Sequence, residues 1–222
     1  ITIPDNVTTI GNSAFSCCTG LTAATIGNNV TNIARSAFYG CTGLTTIIIP
    51  DNVTNIEGSA FSGCTGLTTA TIGKNVQDMS SSTFDNCENL TTVVWNAKRC
   101  NGWSNYSPFY SIGSDYLYNG KIDAFIFGDD VEIIPQGICS GLSKLKHVTI
   151  GKNVTNLNNS AFEDCDSLTT IVWNAKKCGG WGDSYYSAPF YRYNNSTITS
   201  FIFGNEVDSI PNSLCCDMGK LT

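Results

Sequence analysis

Apolar residues return along this chain on a fixed beat. The residues closing successive extended runs are Ile3, Ile26, Ile49, Ile72, Trp95, Phe127, Ile150, Trp173 and Phe203. Their spacing is 23 residues, except 32 between Trp95 and Phe127 and 30 between Trp173 and Phe203. Val7, Val30, Val53 and Val76 keep the same step, as do Leu21, Leu44, Leu67 and Leu90. So does a Phe-x-x-Cys word at Phe15/Cys18, Phe38/Cys41, Phe61/Cys64 and Phe84/Cys87. A unit this short cannot bury its own apolar face, so the pattern predicts stacked coils sharing one core.

One unit runs from Leu44 to Leu67. Leu44, Ile47 and Ile49 alternate inward, which predicts a short strand. Pro50-Asp51-Asn52 is a turn, and Val53 and Ile56 bring the chain back to the core. Ser59, with counterparts Ser13, Ser36, Ser82, Ser160 and Ser213, predicts the N-cap of a single helical turn carrying Phe61 and Cys64. Gly66, like Gly20 and Gly43, predicts a left-handed end to that turn. Stacking such units gives an α/β solenoid of about nine strands, with a parallel sheet on one side and short helical turns on the other.

Repeats such as IPDNVTNIEGSAFSGCTGLTTATI resemble the BspA-like leucine-rich repeat family, and the likeness covers essentially the whole chain. The long units, with NAK-x-C, PFY and FIFG-x-x-V, are similar to a variant that recurs in that family. The resemblance implies a right-handed leucine-rich-repeat horseshoe, export to a bacterial cell surface or secretion, and adhesion or host-protein binding. It supplies no catalytic residues. The expected organisation is a single domain over 1–222, truncated at both ends. It comprises regular repeats 1–95, a long unit 96–127, regular repeats 128–173, a long unit 174–203 and a partial repeat 204–222.

Composition narrows the function. Net charge is −6, and the basic residues cluster no further than Lys98-Arg99 and Lys176-Lys177. That argues against nucleic acid and anionic lipid as partners. No apolar run approaches the roughly 18 residues of a membrane span, so membrane insertion of this segment is not expected. Ends that fall inside repeats predict uncapped terminal coils and end-to-end self-association.

Eleven cysteines suggest disulfides at first sight. Yet Cys18, Cys41, Cys64, Cys87 and Cys165 share one inward position, and a ladder of parallel side chains is a poor geometry for bridging. These are read as reduced, buried thiols. Cys100 and Cys178 lie in the long units and have three alternatives: pairing with Cys139 and with Cys215 or Cys216, pairing with Cys87 and Cys165, or remaining free. Adjacent pairs such as Cys17-Cys18 lack zinc-ligand spacing, and no metal or other cofactor is expected. His147, the one histidine, falls on an outward strand position without a nucleophile aimed at it, so no enzyme is expected. Asp5, Asp51, Asp129, Asp130 and Glu206 sit at turns, where carboxylates bond turn amides.

Two repeats break the Phe-x-x-Cys word, with Cys139 and Cys215 at the Phe position. Each follows a long unit, so Phe125, Phe127, Phe201 and Phe203 are the candidates to fill the space a small thiol leaves.

The long units hold eight of the nine tyrosines: Tyr106, Tyr110, Tyr116, Tyr118, Tyr185, Tyr186, Tyr191 and Tyr193. Trp103, Trp181, Phe109 and Phe190 match between the two copies and are read as the private core of a bulging loop. Tyr mixed with Ser, Asn and Gly resembles an adaptable recognition surface. The second candidate surface is the outward row of the sheet, with Ile48, Val94, Ile126, Val172 and Ile202, and His147 beside it. The expected function is a non-catalytic surface module binding an extracellular-matrix or cell-surface protein. The alternatives are a glycan-binding module using the insert Trp and Tyr residues, or a spacer without a ligand.

Overall fold

Each coil places a short strand beside the corresponding strand of its neighbour. A computed structural model describes residues 1–103, 107–109, 121–158, 160–179, 189–190 and 197–222. Strands are numbered in chain order: β1 Thr9–Ile10, β2 Asn32–Ile33, β3 Thr46–Ile48, β4 Asn55–Ile56, β5 Thr69–Ile72, β6 Asp78–Met79 and β7 Thr92–Trp95. After these come β8 Ala124–Phe127, β9 Ile133–Ile134, β10 His147–Ile150, β11 Asn156–Leu157, β12 Thr170–Trp173 and β13 Ser200–Phe203. The main sheet has seven parallel strands in the order β3-β5-β7-β8-β10-β12-β13, and a bridge between Thr2 and Thr25 continues its direction. A second ladder runs β1-β2-β4-β6 and resumes as β9-β11. Its interruption falls at the first long unit. The architecture is a parallel β-solenoid.

Alternation along each strand sends one set of side chains inward and the other outward, because the strand period is two. In β5, β7, β8 and β12 the second and fourth residues are buried and the first and third half-exposed. The inward residues join one apolar cluster along the chain. All eleven phenylalanines of the sequence form a single chain of ring contacts. Phe15, Phe38, Phe61, Phe84 and Phe109 stack with centroids 5.1–5.3 Å apart and planes within 18°. The path then steps through Phe125 and Phe127 to Phe162, where contacts become tilted or edge-on. It continues through Phe190 and Phe201 to Phe203. Phe125 and Phe127 thus carry the aromatic path past the buried Cys139, as expected for the first break in the repeat word.

No helix occurs among the described residues, which corrects the expected helical turns. The hydrogen bonds show why. Ser62 N–H and Cys64 N–H close local turns onto Ser59 and Phe61 carbonyls, whereas Phe61 and Gly63 donate to Thr83 and Asp85 of the next coil. Alternate amides therefore point along the stack, and an α-helix would consume all of them locally. The inversion is made at two left-handed residues four apart, Ser59 at φ 59° and Gly63 at φ 71°. Ser13, Ser36, Ser160 and Ser213 take the same conformation, so they are inversion points rather than N-caps, which require extended backbone. Gly66 and Gly43 do not have positive φ. A Cβ on Gly66 would fall on the Thr42 carbonyl oxygen of the previous coil, so close approach dictates glycine there.

The thiols are all free. Cys41, Cys64 and Cys87 donate S–H to the Phe15, Phe38 and Phe61 carbonyls at 3.1–3.2 Å. Each of those carbonyls also accepts a backbone amide of its own turn, so the thiol occupies the second lone pair. Cys165 does the same to Cys139. Cys18, in the first coil, is exposed. Cys100 and Cys178 are buried rather than displayed on loops. Burial raises the Cys64 and Cys100 thiols from the ordinary 9.0 to about 12, and Cys178 to about 11.

Two measurements test this picture. Ser59→Gly should raise the melting temperature, by up to about 1 kcal/mol of stability, because it removes the cost of a left-handed L-residue; a helix N-cap would instead weaken. Iodoacetamide at pH 8 should modify Cys17 and Cys18 quickly while the seven buried thiols react only in denaturant, as mass mapping reads directly. Cys64 and Cys100 add an alkaline limit. Their folded pKa values lie above the unfolded one, so their stabilisation is complete below pH 9 and is lost as pH rises toward 12. These two thiols should each contribute a slope of up to about 1.4 kcal/mol per pH unit in that window. Cys64→Ala should flatten the fall of melting temperature above pH 9.

Candidate functional site

Three surfaces carry the candidate residues. The outer face of the main sheet presents Ile48 (66% exposed) on β3 and Ile202 (50% exposed) on β13, the two edge strands. Between them Val94, Ile126 and Val172 are half-buried, each aligned with its neighbours across the parallel register. His147 opens β10, exposed, beside Ala124 and Thr170. The row is β-branched because such side chains suit a pleated surface, and it contains no charged residue.

The turn below this sheet is an ionic ladder. Asp51 accepts the Lys74 backbone amide and pairs with the Lys74 ammonium at 2.8 Å. Asp129 repeats this with Lys152, and Asp5 accepts the Asn28 amide at 2.6 Å. The bonds from the lysines hold the Asp51 and Asp129 carboxyls below the usual range. These carboxylates bond amides of the next coil, so they stitch the stack and do not converge on a cleft.

Of the aromatic candidates in the long units, Trp103 lies within the described residues. Tyr106, Tyr110, Tyr116, Tyr118, Trp181, Tyr185, Tyr186, Tyr191 and Tyr193 lie outside them. Phe109 and Phe190 are buried in the common aromatic column, stacked on Phe84 and Phe162. This corrects the reading of a private loop core: the word Ser107-Pro108-Phe109 keeps the register of the coils, with Phe84 N–H donating to Pro108. Each long unit follows a fully buried tryptophan, Trp95 or Trp173, whose indole N–H has no partner among the described residues.

Trp103 makes the local structure. The carbonyls of Ile10, Ile33 and Ile56 accept backbone amides from Ala34, Glu57 and Ser80 in the next coil. Met79 holds the same ladder position as Ile56. Its carbonyl accepts the indole Nε1–H of Trp103 at 2.8 Å. The half-buried ring also sits edge-on to Trp95 at 6.2 Å. Beside it opens a groove of about 440 Å³ along β4 and β6. A polar ladder lines it: Asn55 donates to Asn32 at 2.7 Å, and Asn101 donates to Asp78 at 2.5 Å. Sequence reasoning singled out Trp103 but missed these partners, because Asn55 and Asp78 read as ordinary strand residues of regular coils.

No three His, Cys, Asp or Glu side chains among the described residues group as a metal site, and no helix there is long and apolar enough to cross a membrane.

Among curated proteins none matches this chain. A leucine-rich repeat protein from Bacteroides ovatus is 19% identical over 100% of this chain and 64% of its own, with a TM-score of 0.47. A leucine-rich repeat protein of T. pallidum is 16% identical over 96% of this chain and 70% of its own (TM-score 0.37). A leucine-rich cell surface protein from Faecalibacterium prausnitzii is 18% identical over 92% and 78% (TM-score 0.30). This chain therefore spans under two thirds of the Bacteroides ovatus protein's length. The model of the BspA type leucine rich repeat region matches residues 1–107 and 110–222 in six copies. The chain belongs to the BspA-type leucine-rich repeat family.

Proposed function

We propose that this chain is a non-catalytic interaction module, displayed at a bacterial cell surface or secreted, that binds a protein partner through the outer face of its main sheet. The observation that carries the reading is the uncharged β-branched row, most open at Ile48 and Ile202, on a scaffold whose core runs unbroken behind it. A row of Ile, Val and Thr on a regular sheet has no charge to desolvate and holds its shape on binding. The tyrosine-rich sequence of the two long units is the second candidate contact, because Tyr gives contact area at low entropy cost. The cell-surface placement rests on the family and on the surface protein from Faecalibacterium prausnitzii.

Among the described residues, the side-chain arrangement offers no support for catalysis. His147 stands exposed on the sheet, while Cys139, the nearest thiol in sequence, is fully buried with its pKa pushed well above the ordinary value by desolvation. A thiol so placed is not a nucleophile.

The test is a solid-phase and calorimetric screen of the chain against extracellular-matrix proteins. Two variants accompany it, Ile48→Glu with Ile202→Glu, and Tyr106, Tyr110, Tyr185, Tyr186, Tyr191 and Tyr193 changed to Ser. The sheet variant should lose at least tenfold in affinity and melt unchanged. A ligand retained by the sheet variant and lost by the tyrosine variant would move the site to the long units. Failure of the parent chain to bind any protein would favour a spacer.

A further inference from the structure

We propose that the groove between β4, β6 and Trp103 is a binding site for a neutral saccharide of one or two rings. It is a different surface from the sheet face and independent of the protein-binding reading.

The volume of about 440 Å³ falls within the range of small-molecule sites, roughly 300–1,000 Å³. The lining names the ligand's chemistry. Trp103 supplies an aromatic wall, half-buried and pinned by its bond to the Met79 carbonyl. Asn55, Asp78, Ser80 and Asn101 supply closely spaced polar groups along one side. A pyranose presents the complementary pair of surfaces, a C–H face that packs on an aromatic ring and a rim of hydroxyls that donate and accept.

The polar groups are held in place and still have capacity. One carboxylate oxygen of Asp78 accepts the Asn101 amide, which leaves the other oxygen with no partner among the described residues. Asn55 uses one amide N–H on Asn32, and its side-chain oxygen stays available, as does that of Asn101. Asn32 in turn donates to Glu57, whose second oxygen accepts the Arg35 backbone amide. Side chains fixed by such bonds lose little entropy when a ligand docks. Among the described residues, the charged ones lining the groove are Glu57 and Asp78, and no Lys, Arg or His lines it. Acidic saccharides are therefore disfavoured and neutral ones fit.

The second long unit provides an internal comparison. Strands β9 and β11 stand before it as β4 and β6 stand before the first, but they carry Ile133 and Asn156 where the first pair carries Asn55 and Asp78. NAKRCN also becomes NAKKCG, so Asn101 is replaced by Gly179. The tryptophan is repeated at Trp181, whereas the Asp78 carboxylate and the Asn55 and Asn101 amides are not. A tryptophan needed only for the coil would leave this difference without a role.

The experiment titrates the 222-residue chain with maltose, cellobiose, lactose and diacetylchitobiose at millimolar concentration, read by calorimetry and tryptophan fluorescence. Sialyllactose serves as the acidic probe. At least one neutral disaccharide should bind. Asp78→Ala and Asn101→Ala should each weaken it at least tenfold while their circular-dichroism melts match the parent, and Ile48→Glu should leave it unchanged. Truncation of Trp103 is avoided because it packs on Trp95. No binding by any neutral probe, binding undiminished in Asp78→Ala, or preference for sialyllactose would each overturn the proposal. None of these outcomes bears on the sheet face, which the matrix-protein screen tests separately.

Discussion

The main-chain hydrogen bond from one coil to the next is the constraint on which everything else depends. It runs through the main sheet, through the short ladder of β1, β2, β4 and β6, and through the turns, where Phe15, Phe38 and Phe61 amides donate to Ala37, Ala60 and Thr83. Three rows of such bonds hold each coil directly over the last, at about the 4.8 Å of neighbouring strands. Identical residues must then meet their own copies. Flat rings at that spacing stack, and the phenylalanine column is the result. Side chains that repel their copies would be excluded, so the ionic turn row alternates Asp51 with Lys74 and Asp129 with Lys152.

The same constraint explains residues whose chemistry looks arbitrary in one coil. Cysteine is small enough for the inner corner and still donates weakly to the carbonyl of the coil before it. The inversion of the chain at Ser59 and Gly63 exists because amides must alternate between their own turn and the next coil. Neither feature would arise in a domain where the turn had only itself to satisfy.

Much of this was legible in the sequence, and the failures have a common origin. The inward alternation of Leu44, Ile47 and Ile49, the parallel stacking, the free thiol ladder and the rescue of Cys139 by Phe125 and Phe127 all follow from spacing and side-chain size. The turns were misread because Ser59 and Gly66 were judged by local capping rules, while their actual roles are set by the neighbouring coil. The long units misled for the same reason. Phe109 reads as the centre of a new loop until its stacking on Phe84 shows that it belongs to the old column. The groove was illegible because Asn55, Asp78 and Asn101 come from three successive coils, and nothing in one coil marks them.

The break in rhythm then has a physical reading. A perfect repeat satisfies every coil-to-coil donor and acceptor, and its surface is a set of uniform rows with no place distinct from the next. A longer coil keeps the aromatic column and the main sheet in register while releasing the second ladder, which stops at β6 and resumes at β9. At that stop the Met79 carbonyl, instead of receiving the next backbone amide, receives the indole of Trp103. A side chain has taken over a main-chain duty. The groove lies beside that substitution, and the ring that takes the place of the amide is its wall. Individuality in a solenoid arises where the repeat is interrupted without losing its core, and the first long unit meets both conditions.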